Sequence, residues 1–373
     1  MGGGVERWAI NMLSHLNLQT FDATLYETDF FDAERFDNNF IDSNLKNIKR
    51  VKIRSPDSKF RFMRNNILLS LLLDLLTPII LKIYMTKNKN SDNFNQNYDI
   101  VYLARNSYWR LFKNRTNLLV GSSHAIFSSD SLRNVIFSKL VSAGFFLRGI
   151  KAIHIYQGRK IIKNILSQKK DVFELPNTVP ENSINIKNDG PLRFLFVGRL
   201  ENYKGIDLLL DAWKKSNANE ESLTIIGSGS LSKIVESEVQ NGKKRISYLG
   251  SIDDDSLFKE YSKADVFLYP TKWDSLPTTI LEALSMGLYV ITSNSLKSTF
   301  KDEFDLGFIE FFEPSTNEIS AKINEILQKR RHIRELRKNI IVKTREKYGV
   351  AEVERKFEDI IRNLVKKYSS NAT

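Results

Sequence analysis

YPTKWDSLPTTILEALSMGLYV, residues Tyr269 to Val290, joins an apolar strand to a helix through a short polar loop. The strand is Val266 to Tyr269. Ser275 is expected to cap the helix and Pro277 to sit in its first turn, since a hydroxyl satisfies an orphan N–H and proline has none to lose. In an open α/β sheet, ligands sit at such strand ends, where a helix N-terminus offers unpaired N–H groups and a positive dipole to an anion. Two carboxylates flank that geometry, Asp274 in the loop and Glu282 in the helix, eight residues apart. Carboxylates near a helix start are also what the dipole favours, so the pair alone does not decide the function.

Upstream, PLRFLFVGRLENYKGIDLLLDAW (Pro191 to Trp213) opens another α/β unit. A strand, Arg193 to Val197, ends in Gly198 and Arg199; after a polar loop, Lys204 and Gly205 lead into the helix Ile206 to Trp213. Glycine, cation, loop, cation and helix start together make an anion cradle. The next strand, Leu223 to Ser230, carries Gly227 and Gly229 at its end, where glycine lets a backbone approach a ligand closely. Further strands are expected at Arg245 to Ile252, Tyr289 to Ser295 and Gly307 to Phe311. Asp253 to Asp255 invite two readings, an Asp-x-Asp that holds a divalent cation on a diphosphate, or the cap of a short helix, Leu257 to Ser262. The cap reading is preferred, because acidic residues and Ser256 there meet the helix dipole.

In the first half, Gly2, Gly3 and Gly4 feed a helix whose apolar residues Val5, Trp8, Ala9, Met12, Leu13 and Leu16 recur at helical spacing. Short strands follow at Ala23 to Tyr26 and Val51 to Ile53. The run Ile67 to Tyr84 is nearly long enough to span a bilayer, but Asp74 and Pro78 interrupt it. A buried helix is the preferred reading and interfacial membrane contact the alternative. Tyr98 to Ala104 and Asn117 to His124 read as buried parallel strands whose ends bring Arg105, Asn106 and His124 to one sheet edge. Lys151 to Gln157 reads as another strand, and Asp171 to Ser183 as a strand entering a linker. His15, His154 and His332 are read as structural. The segment Glu318 to Tyr368 is charged helix.

A chain of 373 residues, 42% apolar and 27% charged, has room for two soluble domains. With no cysteine there is no disulfide, no cysteine-ligated zinc and no thiol nucleophile, which suits a cytoplasmic setting. The first residues lack the basic segment and apolar core of a secretory signal. A formal charge of +12 favours anionic partners, including the inner face of a cell membrane, and equally describes a plain solvated surface. No basic-aromatic motif supports nucleic-acid binding.

The Asp274-to-Glu282 block, the Gly198-Arg199-Leu200…Lys204-Gly205 block, the Gly3-Gly4-Val5-Glu6-Arg7 turn and Pro176-Asn177 together resemble the retaining nucleotide-sugar glycosyltransferases of the GT-B fold, family four type (glycosyl transferases group 1). The resemblance implies an α/β chain of two Rossmann-like doubly wound domains facing a central cleft. Its implied boundaries are an acceptor-binding domain at 1–180 lacking the usual first strand, a nucleotide-sugar domain at 181–348, and a helix at 349–373 packing back on the first domain. It implies a retaining enzyme that needs no cofactor or metal, with a nucleotide-sugar donor and a glycan, lipid-linked or small-molecule acceptor, working in cell-surface polysaccharide or glycolipid synthesis as a peripheral membrane protein. Arg199 and Lys204 would stabilise the leaving diphosphate, Asp274 and His124 would face the donor sugar, and Glu282 the ribose. Gly3, Gly4, Gly198, Gly227, Leu249, Ser275, Leu276, Pro277 and Thr278 would complete the donor site. Asp274 departs from the usual Glu by one methylene and Thr178 replaces a usual Gly. Two other readings share the diphosphate cradle, a GT-B-fold sugar-nucleotide epimerase or hydrolase and a catalytically weak partner subunit of a glycosyltransferase.

Overall fold

The computed structural model describes residues 4–28, 45–53, 97–103, 116–123, 150–155, 163, 167, 170–179, 190–242, 245–272, 274 and 277–369. Gly2, Gly3, the apolar run Ile67 to Tyr84, Arg105, Asn106, His124, Ser275 and Leu276 lie outside the described residues. The chain divides into two compact units, one of Met1–Pro176 with Val350–Thr373, the other of Asn177–Gly349.

In the first unit, α1 (Gly4–His15) precedes two parallel-paired strands, β1 (Thr24–Thr28) and β2 (Lys49–Ile53). A four-stranded parallel sheet follows in simple sequence order: β3 (Tyr98–Leu103), β4 (Thr116–Ser123), β5 (Ala152–Ile155) and β6 (Asp171–Glu174). The four residues of β5 are all buried, as a parallel strand covered on both faces requires. The C-terminal helix of the chain, α9 (Val350–Ser369), packs on α1 and β4 and contributes Leu364 to a core with Leu118, Val120 and Ala152.

His154 lies within this unit and is completely buried. Its ring is stacked on Phe173 at 5.3 Å and lies 5.0 Å from Trp8. A neutral ring protonated at Nε2 serves both of its bonds, donating to the Leu175 carbonyl at 3.0 Å and accepting from the Tyr102 hydroxyl at Nδ1 at 2.6 Å. Burial pushes its pKa down to about 4, against a smaller opposing effect of the Leu175 carbonyl. Between about pH 6.5 and 4 the unfolded chain therefore takes up a proton that the folded unit refuses, and stability falls with falling pH. The expected loss across that window is about 3 kcal/mol. Urea unfolding at a series of pH values measures it, and the slope against pH should flatten in His154→Gln.

The second unit holds six parallel strands: β7 (Arg193–Val197), β8 (Ser222–Ile226), β9 (Ile246–Tyr248), β10 (Val266–Tyr269), β11 (Tyr289–Ser293) and β12 (Ile309–Phe312). Helices α2 (Ile206–Lys215), α3 (Ser232–Gln240), α4 (Asp254–Lys263), α5 (Thr278–Ser285), α6 (Lys301–Asp305), α7 (Thr316–Gln328) and α8 (Arg330–Tyr348) alternate with or follow them. Strand order is β12-β11-β10-β7-β8-β9, so the chain lays down three strands outward from β7, then returns to β7's other side and builds outward again. This doubly wound order creates a topological switch point between β7 and β10. At the base of the sheet, Arg337 is buried and donates to the carbonyls of Ala264 at 3.0 Å and Ser262 at 3.1 Å, fastening α8 beneath the strands.

Three local expectations need correction. The strand expected over Leu223 to Ser230 ends at Ile226, because Gly227 turns the chain out of the sheet at φ +132°. The α5 helix starts at Thr278 with Pro277 as its N-cap, and no side chain caps it. Pro277 adopts φ −67° and ψ 114°, an extended conformation, so helical turns can begin only after it. The strand expected over Arg245 to Ile252 is confined to Ile246–Tyr248, because it lies at the sheet edge and Gly250 turns the chain away at φ +64°. Asp253 accepts from the Ser256 N–H at 2.8 Å and caps α4. Among the described residues no helix is long and apolar enough to cross a membrane, and no group of three His, Asp or Glu side chains is disposed to hold a metal ion.

Candidate functional site

The switch point is where the loops leaving β7 and β10 diverge, and the candidate residues cluster on those two loops. Lys204 ends a single 3-10 turn, Asn202–Lys204, and Gly205 follows at φ +71°. A Cβ at Gly205 would lie 2.1 Å from the Pro270 carbonyl oxygen, so only glycine lets the two loops touch. The Tyr203 carbonyl accepts from Lys272 N–H at 2.8 Å and from the Thr271 hydroxyl at 3.3 Å, which ties the loops further.

Lys204 is buried, contrary to a solvated loop charge. Its ammonium donates to the Tyr269 hydroxyl at 2.6 Å and to Oδ2 of Asp274. Tyr269 in turn donates to the same Oδ2 at 2.9 Å. The ammonium also lies 5.3 Å from the Tyr203 ring centre and 5.1 Å from that of Tyr269, cation–π distances that help hold a charge out of water. Arg199, exposed, places its guanidinium 5.5 Å from the same Tyr203 ring. Two cations and one carboxylate thus converge on a pair of tyrosines. Burial, then the Asp274 charge, raises the Tyr269 pKa well above its ordinary value, so the phenol keeps its proton and acts as a donor to the carboxylate.

On the other side of β7, the end of β8 is sewn to the Arg199 loop. Leu200 N–H donates to the Ser228 carbonyl at 3.0 Å, and Glu201 accepts from Ser230 through both N–H at 3.1 Å and hydroxyl at 2.7 Å. Gly227 adopts φ +132° and lies against Gly198. Its N–H donates to the Gly250 carbonyl at 2.8 Å, while Tyr248 donates to its carbonyl at 3.0 Å. Leu249 is 43% exposed beyond β9 and sits two strands away from the cations. A large apolar side chain left open at a strand end offers a face on which a flat ring can lie.

Glu282 is buried in α5 and accepts from the Tyr261 hydroxyl of α4 at 3.0 Å. Pro277 and Thr278 stand at the start of the same helix, whose N-terminus follows the Asp274 loop. Gly4 opens α1 in the other unit. Three of the residues singled out in the sequence, Arg199, Lys204 and Asp274, are therefore brought together, with Gly198, Gly227, Pro277 and Thr278 on the adjoining loops. Sequence reasoning missed Tyr203, Tyr261 and Tyr269. For Tyr269 a signal existed: it is the last residue of an otherwise apolar strand, where a polar tip points toward the ligand edge.

Residues 180–347 match the family model for glycosyl transferases group 1. The chain is 33% identical over 144 residues to the UDP-Gal:alpha-D-GlcNAc-diphosphoundecaprenol alpha-1,3-galactosyltransferase of Escherichia coli, covering 36% of this chain and 35% of that one. The chain spans about a third of the length of the curated relatives it matches first, 30%, 29% and 40%. Among solved structures, it resembles a glycosyltransferase from Rickettsia africae, with a TM-score of 0.67 at 16% identity, over 98% of this chain and 96% of that one. It also resembles HepE of Anabaena in complex with UDP and glucose, with a TM-score of 0.65 at 14% identity, over 97% and 96%. At those identities the likeness is one of fold, the α/β fold with parallel sheets found in GT-B glycosyltransferases.

Proposed function

From the premise that residues 180–347 carry a glycosyl transferases group 1 domain, we propose that this chain moves a sugar from a nucleoside diphosphate donor to a glycan, lipid-linked or small-molecule acceptor, with retention at the anomeric carbon. The observation that carries the reading is the convergence of Arg199, Lys204 and Asp274 at the switch point, on loops tied to each other. The hard step in such a reaction is departure of the diphosphate while positive charge builds on the sugar. Arg199, the buried Lys204 and the N–H groups at the start of α5 would receive the departing charge, and such preorganised stabilisation is the largest single contribution in many enzymes. Asp274 would accept from a donor-sugar hydroxyl and Glu282 from the ribose. No protein nucleophile is assigned: the leaving phosphate itself would take the acceptor's proton as the new bond forms on the same face. A lipid-linked acceptor would put the reaction at a membrane surface, which a net charge of +12 would favour.

The test is a panel of UDP-, GDP- and ADP-sugars, assayed for transfer and slow hydrolysis in the presence of a chelator, with the anomeric configuration of the product read by NMR. The best donor should work without added metal and give a retained linkage, and Arg199→Ala should lower its turnover by about 10²-fold. Equal binding and equal rate in Arg199→Ala would remove the cradle from the mechanism.

A further inference from the structure

The Tyr269 ring is stacked on Phe196 at 6.0 Å and on Phe267 at 5.8 Å, so phenylalanines already make much of the strand packing at this point. A hydroxyl adds nothing to that packing and costs desolvation when buried, a cost offset only by the bonds it makes. Its bonds go to the site: one is received from Lys204 at 2.6 Å and another given to Asp274 Oδ2 at 2.9 Å, with the Thr279 hydroxyl at the start of α5 also close by. An ammonium has three N–H donors in fixed tetrahedral directions. With one aimed at Tyr269 and one at Asp274, the direction of the third is set before any ligand arrives. The carboxylate is fixed in the same way, since Lys204 and Tyr269 meet on one of its oxygens.

We infer that Tyr269 is a positioning residue of the donor site, whose hydroxyl holds the Lys204 ammonium and the Asp274 carboxylate in the mutual orientation that a diphosphate sugar meets. The inference rests on the proposed donor reading for its effect on turnover, but its geometric content can be measured without any donor. Tyr269 acts through its two partners; in transfer it stays protonated and forms no covalent bond. Because orientation matters more as charge develops than in the resting complex, its loss falls on kcat rather than on donor KM.

The experiment compares wild type, Tyr269→Phe and a second hydroxyl-free variant, Tyr269→Leu, in two assays. In the first, lysines are modified with an amine-directed reagent and Lys204 is quantified by peptide mass spectrometry, with the exposed Lys301 as internal reference. Freed of one of its two anchors, Lys204 should label about fivefold faster in both variants while Lys301 is unchanged. In the second, Tyr269→Phe should lower kcat by about tenfold with KM moving less than about threefold. In an Asp274→Ala background the same change should cost less than about threefold, since one of the two groups it aligns is gone. Unchanged Lys204 labelling, or the same tenfold loss in the Asp274→Ala background, overturns the inference. If wild type turns over no donor, the proposed function falls by itself and the labelling result alone decides the role of Tyr269.

Discussion

Lys204→Met should lower kcat/KM for the best nucleotide-sugar donor by about 10²- to 10³-fold, while Lys204→Arg should recover little of it. Methionine keeps the length of the stem but removes the charge that would meet the leaving diphosphate, so the loss is one of transition-state stabilisation rather than packing. Arginine restores a charge but not the fit. Lys204 is buried with its ammonium between two tyrosine rings and bonded to both Tyr269 and Asp274, a space shaped for a compact tetrahedral group rather than a planar fork. Removing the cation also leaves Asp274 partly buried with Tyr269 as its remaining partner of the two, which should cost about 1–3 kcal/mol of stability. Steady-state kinetics and calorimetry of nucleoside diphosphate binding read the first effect, thermal unfolding the second. Unaltered kcat/KM in Lys204→Met would separate this loop from the chemistry.

How far this arrangement was legible depends on which contacts are local. The strands β7 and β10 were readable to the residue, because four- and five-residue apolar runs bounded by Gly198 and Pro270 have few other uses in an α/β chain. The loop that carries Arg199 and Lys204 was readable as well, since strand, glycine, cation and helix start lie within one stretch. The helix α3 went unread, although Leu231, Val235 and Val239 recur four residues apart, because only Val235 is buried and serines and glutamates surround it. The start of α5 was misplaced because a serine and a proline two residues apart each carry a helix-start signal, and only the backbone shows which prevails. Partners were the least legible. Lys204 meets Tyr269 across 65 positions and Glu282 meets Tyr261 across 21, and neither spacing has a local signature. Burial of Lys204 was hidden for the same reason: a lysine in a polar loop reads as solvated until the two rings that cover it are placed in space.

The second large effect concerns backbone rather than charge. Gly227→Ala should destabilise the second unit by roughly 3 kcal/mol or more and lower activity by about 10²-fold, while Gly242→Ala should cost only about 1 kcal/mol and leave activity alone. Both glycines have positive φ, +132° and +61°, so both substitutions carry conformational strain. They differ in what a Cβ would meet. At Gly242 the nearest atom is 3.9 Å away; at Gly227 it is the Gly198 carbonyl oxygen at 1.9 Å. That oxygen belongs to backbone, and no rotamer change can move it aside. Relief requires β8's end to separate from β7's, which breaks the bond from Gly198 N–H to the Ile226 carbonyl at 3.0 Å and shifts Arg199, the next residue along. A displacement of about 1 Å at a cation that would receive the leaving diphosphate is enough for a hundredfold loss. Urea unfolding, run beside the donor assay, measures both effects on one preparation. If Gly227→Ala proves as mild as Gly242→Ala, the two loop ends are not in the contact that holds Arg199 at the switch point, and the cradle would have to be built from Lys204 and the helix tip alone.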